Sequence, residues 1–213
     1  MLGQSIRQNM IGLGIFAVVT AGLIALTQLE TRERIEDNIK EAKSRALNEI
    51  ITPDMHDNEL LEDTVIVTDP KLVIDEGAQE AYIARRNGQA VAVILPTIAP
   101  DGYTGKIRSI VGVLKDGTVA GVRVLTHQET PGLGDKIELK KSGWIRQFAG
   151  KSLQAPANHY WAVKKDGGEF DQLTGATITP RAVVKSVHRA LIYFDENREA
   201  LFTPPQQDSS NGQ

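Results

Sequence analysis

An uncharged stretch near the N-terminus most constrains what this chain can fold into. No charged residue lies between Arg7 and Glu30, and residues 10–26 are almost wholly apolar. A helix needs roughly 17 to 25 such residues to cross a membrane. A cleaved signal peptide is the alternative, but the small-x-small pattern of a cleavage site is missing near Leu26. We therefore predict a transmembrane helix over residues 10–29, preceded by a short N-terminal segment, residues 1–9.

The charges that flank this stretch leave its orientation open. Arg7 stands alone before it, whereas several basic residues follow within residues 32–45. Counting these charges would keep the C-terminal part in the cytoplasm. Acidic residues are interleaved with them, however, and long domains cross membranes largely regardless of flanking charge. The residues alone do not decide on which side of the membrane the rest of the chain lies.

Composition excludes several classes of function. The 24 basic and 27 acidic residues give a formal net charge of −3, so there is no positive excess to neutralise a phosphate backbone, and we expect no nucleic-acid partner. The chain has no cysteine, which excludes disulfides, thiolate-held iron–sulfur clusters and c-type haem attachment. The histidines show no metal-ligand spacing, so we predict no metal site. A redox function would need an organic cofactor.

Residues 30–52 predict a second helix that leaves the membrane as a stalk. Apolar residues recur there at helical spacing among charged ones, and Pro53 closes the segment. The apolar face of this stalk either packs on the following domain or binds a partner. No other prediction depends on which of the two holds.

Residues 53–201 predict one α+β domain. Asn87-Gly88 and Asp116-Gly117 each separate two runs rich in valine and isoleucine, and both dipeptides tolerate the positive φ angles of a type I′ hairpin turn. These runs are apolar on both faces, so we expect an antiparallel sheet covered by helices.

The C-terminal part of the chain predicts a last helix and then a tail. We expect Thr179 to cap this helix and Pro180 to be its first residue, because proline is favoured at that position. Beyond Phe202 the chain has no apolar residue to bury, which predicts a disordered tail over residues 202–213.

The segment from Asp171 to Pro180 places small residues and hydroxyls directly before the predicted helix. The first turn of a helix presents unpaired N–H groups and the positive end of its dipole, and Gly175 and Ala176 would let a bulky anion approach the backbone. No histidine, lysine or carboxylate lies within two residues of Thr177, so its hydroxyl is not a self-sufficient nucleophile. A plain capping loop has the same features, and the residues alone leave both interpretations open.

A second informative segment is His127-Gln128-Glu129-Thr130-Pro131-Gly132-Leu133-Gly134. Its Pro-Gly pair predicts a rigid turn, and its glycines expose backbone N–H groups and let an aromatic plane lie against Leu133. Taken by itself, a Pro-Gly pair is usually an ordinary turn.

Together these segments resemble the G subunits of the Rnf (Rsx) ion-translocating electron transport complexes and, less closely, the C subunits of sodium-pumping NADH:quinone reductases. Those proteins share a flavin-attachment pattern, Asp-x-x-(Ser/Thr)-Gly-Ala-Thr, which residues 171–177 match with Thr174 in place of the commoner serine. The segment at residues 127–134 matches a second family pattern throughout. The Gly102-Tyr103 loop and residues 161–168 also resemble the family, so the likeness covers nearly the whole chain.

The resemblance implies an FMN-binding domain whose FMN is covalently bound to Thr177 through a phosphoester. A separate flavin transferase, with Mg²⁺ as its own cofactor, would move FMN from FAD onto that hydroxyl, so Thr177 would react once and the chain would have no catalytic residue of its own. Residue type and position suggest a set of noncovalent FMN contacts. They are Asp171, Thr174, Gly175, Ala176, Glu129, Thr130, Gly132, Leu133, Gly134, Tyr103 and Lys164.

Other candidates around the flavin are less specific. Trp144 and Trp161 are possible stacking partners beside Tyr103, although we expect two of these three aromatic residues to be core or surface anchors. His127 and Glu129 are candidates for proton exchange with the flavin, but a lone loop histidine more often only forms a hydrogen bond.

The resemblance also implies the protein's partners and location. The chain would carry electrons within a membrane complex that couples ferredoxin and NAD to ion movement, meeting ferredoxin and NAD only through other subunits. Its N-terminus would be cytoplasmic and residues 53–201 periplasmic, on a bacterial inner membrane, in disagreement with the charge count. The alternatives are a membrane-anchored assembly or binding module without covalent flavin, and an enzyme that binds FMN reversibly.

Overall fold

The computed structural model describes residues 2–72 and 77–203. The chain divides into two compact units, Met1–Arg45 and Ala46–Gln213, and each is described by itself. Helix α1 runs from Leu2 to Asn48 and therefore contributes to both units. The predicted stalk boundary at residue 52 lies beyond the end of this helix.

The N-terminal unit is a helix that is long and apolar enough to cross a membrane. An 18-residue window within it has a mean hydropathy of 2.3, and its large apolar side chains are exposed. Farther along the helix, Ile35 and Ile39 on the apolar face of the predicted stalk are exposed as well.

The second unit is built on a five-stranded antiparallel sheet in which each strand pairs with the next along the chain. This arrangement confirms the predicted α+β class with an antiparallel sheet. The strands are β1 (Thr64–Val67), β2 (Gln79–Arg86), β3 (Gln89–Ala99), β4 (Ile107–Leu114) and β5 (Val119–Thr126).

Both predicted hairpins are present, but their turns differ. Asn87 and Gly88 join β2 to β3 with φ angles of 51° and 74°, as a type I′ turn requires. Between β4 and β5 only Gly117 has a positive φ, 92°, and its N–H donates to the Leu114 carbonyl. That loop is a type I turn followed by a left-handed glycine, so Asp116-Gly117 does not form the predicted type I′ turn.

The two faces of the sheet are covered by different parts of the chain. Ile83, Val93 and Val111 belong to the main core, which includes the last helix, whereas their strand neighbours Tyr82 and Ile94 pack with Leu47, Ile50, Ile51 and Leu60 on the opposite face. Alternate residues of a strand point to opposite faces. A sheet covered on both faces explains why its strands are apolar throughout.

After β5 the chain has little regular structure until the last helix. Short 3₁₀ turns occur at Gly134–Ile137, Trp144–Phe148, Asn158–Tyr160 and Lys164–Asp166. Helix α2 then runs from Ile178 to Phe202 and packs against the sheet along one apolar face. The Phe202 ring lies against Phe194, and the rest of the predicted tail after Thr203 lies outside the described residues.

Candidate functional site

The attachment segment, residues 171–177, forms a tight turn immediately before α2. The Ala176 N–H donates to the Leu173 carbonyl at 3.1 Å, which closes a β-turn with Gly175 at its third position. Gly175 has a φ of +82°, the value that a type II turn requires at that position and that other residues rarely adopt. The small residues of this segment therefore set the shape of the backbone that leads into the helix.

Thr177 is the N-cap residue of α2. The helix begins at Ile178, so the prediction that Thr179 caps it was wrong by two residues. The Thr177 side chain is partly exposed, and its hydroxyl forms no capping hydrogen bond to the first turn. The hydroxyl thus stands at the N–H end of a 25-residue helix without serving the cap.

The Thr179 hydroxyl is occupied elsewhere. It lies inside the first turn of α2, is buried, and donates a hydrogen bond to Oε2 of Glu129. Pro180 follows as the third helical residue, where it is tolerated because an N–H in the first turn has no helical partner. A long-range contact therefore explains why Thr179 does not cap the helix.

The Pro131 loop, residues 130–134, also contains a type II turn. The Leu133 N–H donates to the Thr130 carbonyl at 3.1 Å, and Gly132 occupies the third position with a φ of +77°. The Thr130 carbonyl also accepts the Gly134 N–H at 3.1 Å. This geometry holds Leu133 at the surface with 41% of its area exposed.

The Pro131 loop and the attachment loop touch each other. A Cβ placed on Gly175 would lie 2.7 Å from Cδ2 of Leu133, so the Leu133 side chain covers the glycine closely. The structure thus brings together two segments that are far apart in the sequence.

Glu129 joins a third segment to these two. Its carboxylate is 4% exposed, and Oε1 accepts the Thr104 N–H at 3.0 Å and the Thr104 hydroxyl at 3.4 Å. The neighbouring Tyr103 is 63% exposed. Through Glu129 the Tyr103 loop, the Pro131 loop and the start of α2 are therefore fixed at one place.

Lys164 and Asp171 pair with each other at the start of the attachment segment. Lys164 Nζ lies 2.6 Å from Asp171 Oδ1, and this hydrogen bond raises the pKa of Lys164. Both side chains are well exposed, so their pairing contributes little to stability. Arg181 of α2 pairs similarly with Asp166, which raises the pKa of Arg181 and lowers that of Asp166.

The structure divides the three aromatic candidates. Trp144 and Trp161 are buried with Phe148 and Phe170, and each indole N–H donates to a backbone carbonyl, that of Asp171 for Trp144 and that of Ser152 for Trp161. The two tryptophans belong to the core, which leaves Tyr103 as the exposed aromatic residue beside the site.

His127 supports the Pro131 loop through hydrogen bonds. Its Nδ1 accepts the Glu129 N–H at 3.0 Å, so the ring proton lies on Nε2, which donates to Glu138 Oε1 at 2.8 Å. Both ring nitrogens are thus engaged in holding the loop.

Sequence reasoning missed the roles of Thr104 and Thr179. The sequence pattern marks Thr104 only as part of a Gly-Tyr loop, and Thr179 only as a cap. Their common partner is Glu129, which lies 25 residues from Thr104 and 50 from Thr179 along the chain. No local pattern reveals a contact at such a separation.

Comparison with known proteins agrees with this geometry. A family model described as an FMN-binding domain matches residues 102–192, which contain all three loops, and one described as the RnfG N-terminal region matches residues 1–50. The chain is 53% identical over 203 residues to a Pseudomonas aeruginosa protein named as the G subunit of the ion-translocating oxidoreductase complex, covering 95% of each chain. Proteins of that name from Vibrio vulnificus and Shewanella loihica are 49% and 47% identical, again with 95% of each chain covered.

The chain belongs to the family of G subunits of ion-translocating oxidoreductase complexes. Its site suits the FMN that such a domain binds. Gly132 keeps the backbone bare, because a Cβ there would meet nothing within 4 Å, and Gly175 provides the positive φ of the turn before Thr177. The first turn of α2 offers N–H groups to a phosphate, and Leu133 and Tyr103 offer exposed apolar surface to a ring.

Proposed function

We propose that this protein is the electron-carrying flavoprotein subunit of a membrane-bound ion-translocating ferredoxin:NAD oxidoreductase complex, with FMN bound to Thr177 through a phosphoester. One observation carries the proposal. Thr177, the last residue of the Asp-x-x-Thr-Gly-Ala-Thr pattern, stands at the N-terminus of α2 with a hydroxyl that does not cap the helix.

A separate transferase would make the attachment, because no histidine, lysine or carboxylate lies within two residues of Thr177 in the sequence. The buried carboxylate of Glu129 is already occupied by Thr104 and Thr179. In the transfer from FAD, Thr177 Oγ would form a bond to the phosphorus of the FMN half, AMP would leave, and the hydroxyl proton would pass to the transferase. Thr177 therefore reacts once, during maturation.

The bound group supplies the redox chemistry, since a flavin accepts and donates electrons and threonine does not. The chain's residues would hold it in place. N–H groups in the first turn of α2 would bind the phosphate beside Thr177. Leu133 and Tyr103 are exposed beside the loop and offer the ring an apolar surface.

The helix α1 and the family match support the proposed membrane placement. The helix is long and apolar enough to span a bilayer once, and we propose a bacterial inner membrane with the flavin domain on the periplasmic side. A periplasm-specific reporter fused after Gly150 should be active. Activity of a cytoplasm-specific reporter alone would contradict this orientation.

The proposed partners are the other subunits of the complex and, during maturation, the flavin transferase. The related proteins carry the name of a complex subunit, and this chain matches them over 95% of its length. Ferredoxin and NAD would exchange electrons with this protein only through those other subunits.

Fluorescence in a denaturing gel tests the covalent flavin. Full-length protein produced together with an active flavin transferase should fluoresce at its own position in the gel. Thr177→Ala should be dark, whereas Thr177→Ser should fluoresce because it keeps a hydroxyl on the same backbone. Fluorescence of Thr177→Ala would contradict the attachment site, flavin lost on denaturation would favour reversible binding, and a colourless wild-type protein would favour an assembly module.

A further inference from the structure

We propose that Glu129 is a positioning residue for flavin attachment: through Thr179 it fixes the residue at which α2 begins and so leaves the Thr177 hydroxyl free to receive the flavin. This inference rests on the proposed attachment at Thr177. It concerns how the chain presents that hydroxyl, and Glu129 itself does not contact the reacting atoms.

Both oxygens of the Glu129 carboxylate accept hydrogen bonds. One oxygen accepts the N–H and hydroxyl of Thr104, and the other accepts the hydroxyl of Thr179. The side chain is almost fully buried. Removing one of these donors is costly, because a buried acceptor then loses a hydrogen bond that water does not replace.

Backbone packs closely around the Glu129 carboxylate. A Cβ on Gly102 would lie 2.9 Å from Oε1, and a Cβ on Gly134 would lie 2.9 Å from both Oε2 and the Thr179 hydroxyl. Only glycine at these two positions allows the Tyr103 loop and the Pro131 loop to approach the Glu129 carboxylate so closely. The backbone of both loops therefore lies close around the hydrogen bond from Thr179 to Glu129.

Thr177 and Thr179 are two threonines that could cap α2. With a free hydroxyl, Thr179 would be a good cap for a helix that begins at Pro180, because threonine is favoured as a cap and proline as the first residue. Glu129 takes that hydroxyl, and the helix instead begins at Ile178. Thr177 becomes the N-cap residue, but its φ of −101° and ψ of −35° are helical, and its hydroxyl forms no capping hydrogen bond.

The consequence is a defined position for Thr177 Oγ at the N–H end of α2. If Thr179 were released and capped the helix, Ile178 and Thr179 would leave the first turn. Thr177 would then lie two residues outside the helix, away from the N–H groups that face a phosphate. Flavin transfer to such a chain should be slow even though the domain stays folded.

The test compares flavin transfer to purified full-length variants in detergent, with FAD, Mg²⁺ and a flavin transferase. Thr179→Val removes the hydroxyl and keeps the shape of the side chain, and we expect about a tenfold lower kcat/KM for the acceptor, the size expected from losing a hydrogen bond to a charged group. Thr179→Ser restores the hydroxyl and should return kcat/KM to within about threefold of wild type. Glu129→Gln should also lower kcat/KM for the acceptor. This variant tests the positioning role if Thr179→Val does not fold.

Thr97→Val is the matched control. Thr97 is another buried threonine whose hydroxyl donates to α2, at the Ser186 carbonyl 3.3 Å away, on a different part of the helix. The melting temperature of Thr97→Val should fall less than that of Thr179→Val, because a hydrogen bond to a neutral carbonyl is weaker than one to a carboxylate, while its rate of flavin transfer should equal that of wild type. If Thr179→Val accepts flavin at the wild-type rate, or if Thr97→Val is slowed as much, the positioning role is refuted. If wild-type protein accepts no flavin, the proposed function itself fails.

Discussion

Replacing Gly175 by alanine tests how rigidly the attachment loop is built. Gly175 has a φ of +82°, and a left-handed backbone costs a residue with a side chain about 1–2 kcal/mol. The new Cβ would also lie 2.7 Å from Cδ2 of Leu133. That atom ends a flexible, partly exposed side chain, so a change of rotamer costing about 0.5–1.5 kcal/mol relieves the contact.

Gly167 provides a matched control for the backbone contribution. Its φ is +83°, almost the same as at Gly175, but a Cβ there would meet nothing within 4 Å. Gly167→Ala should therefore cost only the 1–2 kcal/mol or so of backbone strain. Gly175→Ala should exceed it by about 0.5–1.5 kcal/mol, and Leu133→Ala in the same chain should remove that excess.

Thermal unfolding of the full chain in detergent, without flavin, measures these differences. Fluorescence of the buried Trp144 and Trp161 reports the domain, and for a domain of this size about 1 kcal/mol lowers the melting temperature by roughly 2–4 °C. If Gly175→Ala melts at the wild-type temperature, the loop does not hold the left-handed turn. If Leu133→Ala leaves the excess unchanged, Leu133 does not cover the glycine.

Two further predictions concern stability away from the flavin loop. Gly168→Ala should destabilise the domain by about 3 kcal/mol or more in denaturant titration. Its Cβ would lie 1.9 Å from the Ala162 carbonyl oxygen, which belongs to the backbone and cannot rotate away. A cost near that of Gly167→Ala would contradict the contact. The His188 ring stacks on Trp161, and burial lowers the pKa of His188. As the pH falls, this imidazole is therefore protonated in the unfolded chain before it is protonated in the folded one. The free energy of unfolding should fall as the pH drops below about 6.5. His188→Phe keeps the stacking and should flatten that decline below about pH 6.5, whereas an unchanged slope would assign it to other groups.

The parts of the fold that depend on local patterns could be predicted from the sequence. The apolar helix, the sheet and the Asn87-Gly88 turn are set by residues close together in the chain, and the attachment pattern is a local motif as well. The family match then supported FMN as the ligand of the domain.

The start of α2 could not be predicted, because it depends on a distant side chain. Local preference favours Thr179 as the cap before Pro180, but Glu129 lies 50 residues earlier in the chain and captures that hydroxyl. The burial of Trp144 and Trp161 was equally hidden, since it depends on how the irregular segment after β5 folds onto the core.

Mass spectrometry of the tryptic peptide from Asp166 to Arg181 tests the central claim most directly. This peptide contains Thr174, Thr177 and Thr179, and fragmentation distinguishes the three. Full-length protein purified with its active transferase should carry the added mass of FMN, less one water, on Thr177 alone. An unmodified peptide under those conditions, or flavin on Thr174 or Thr179, would contradict the account.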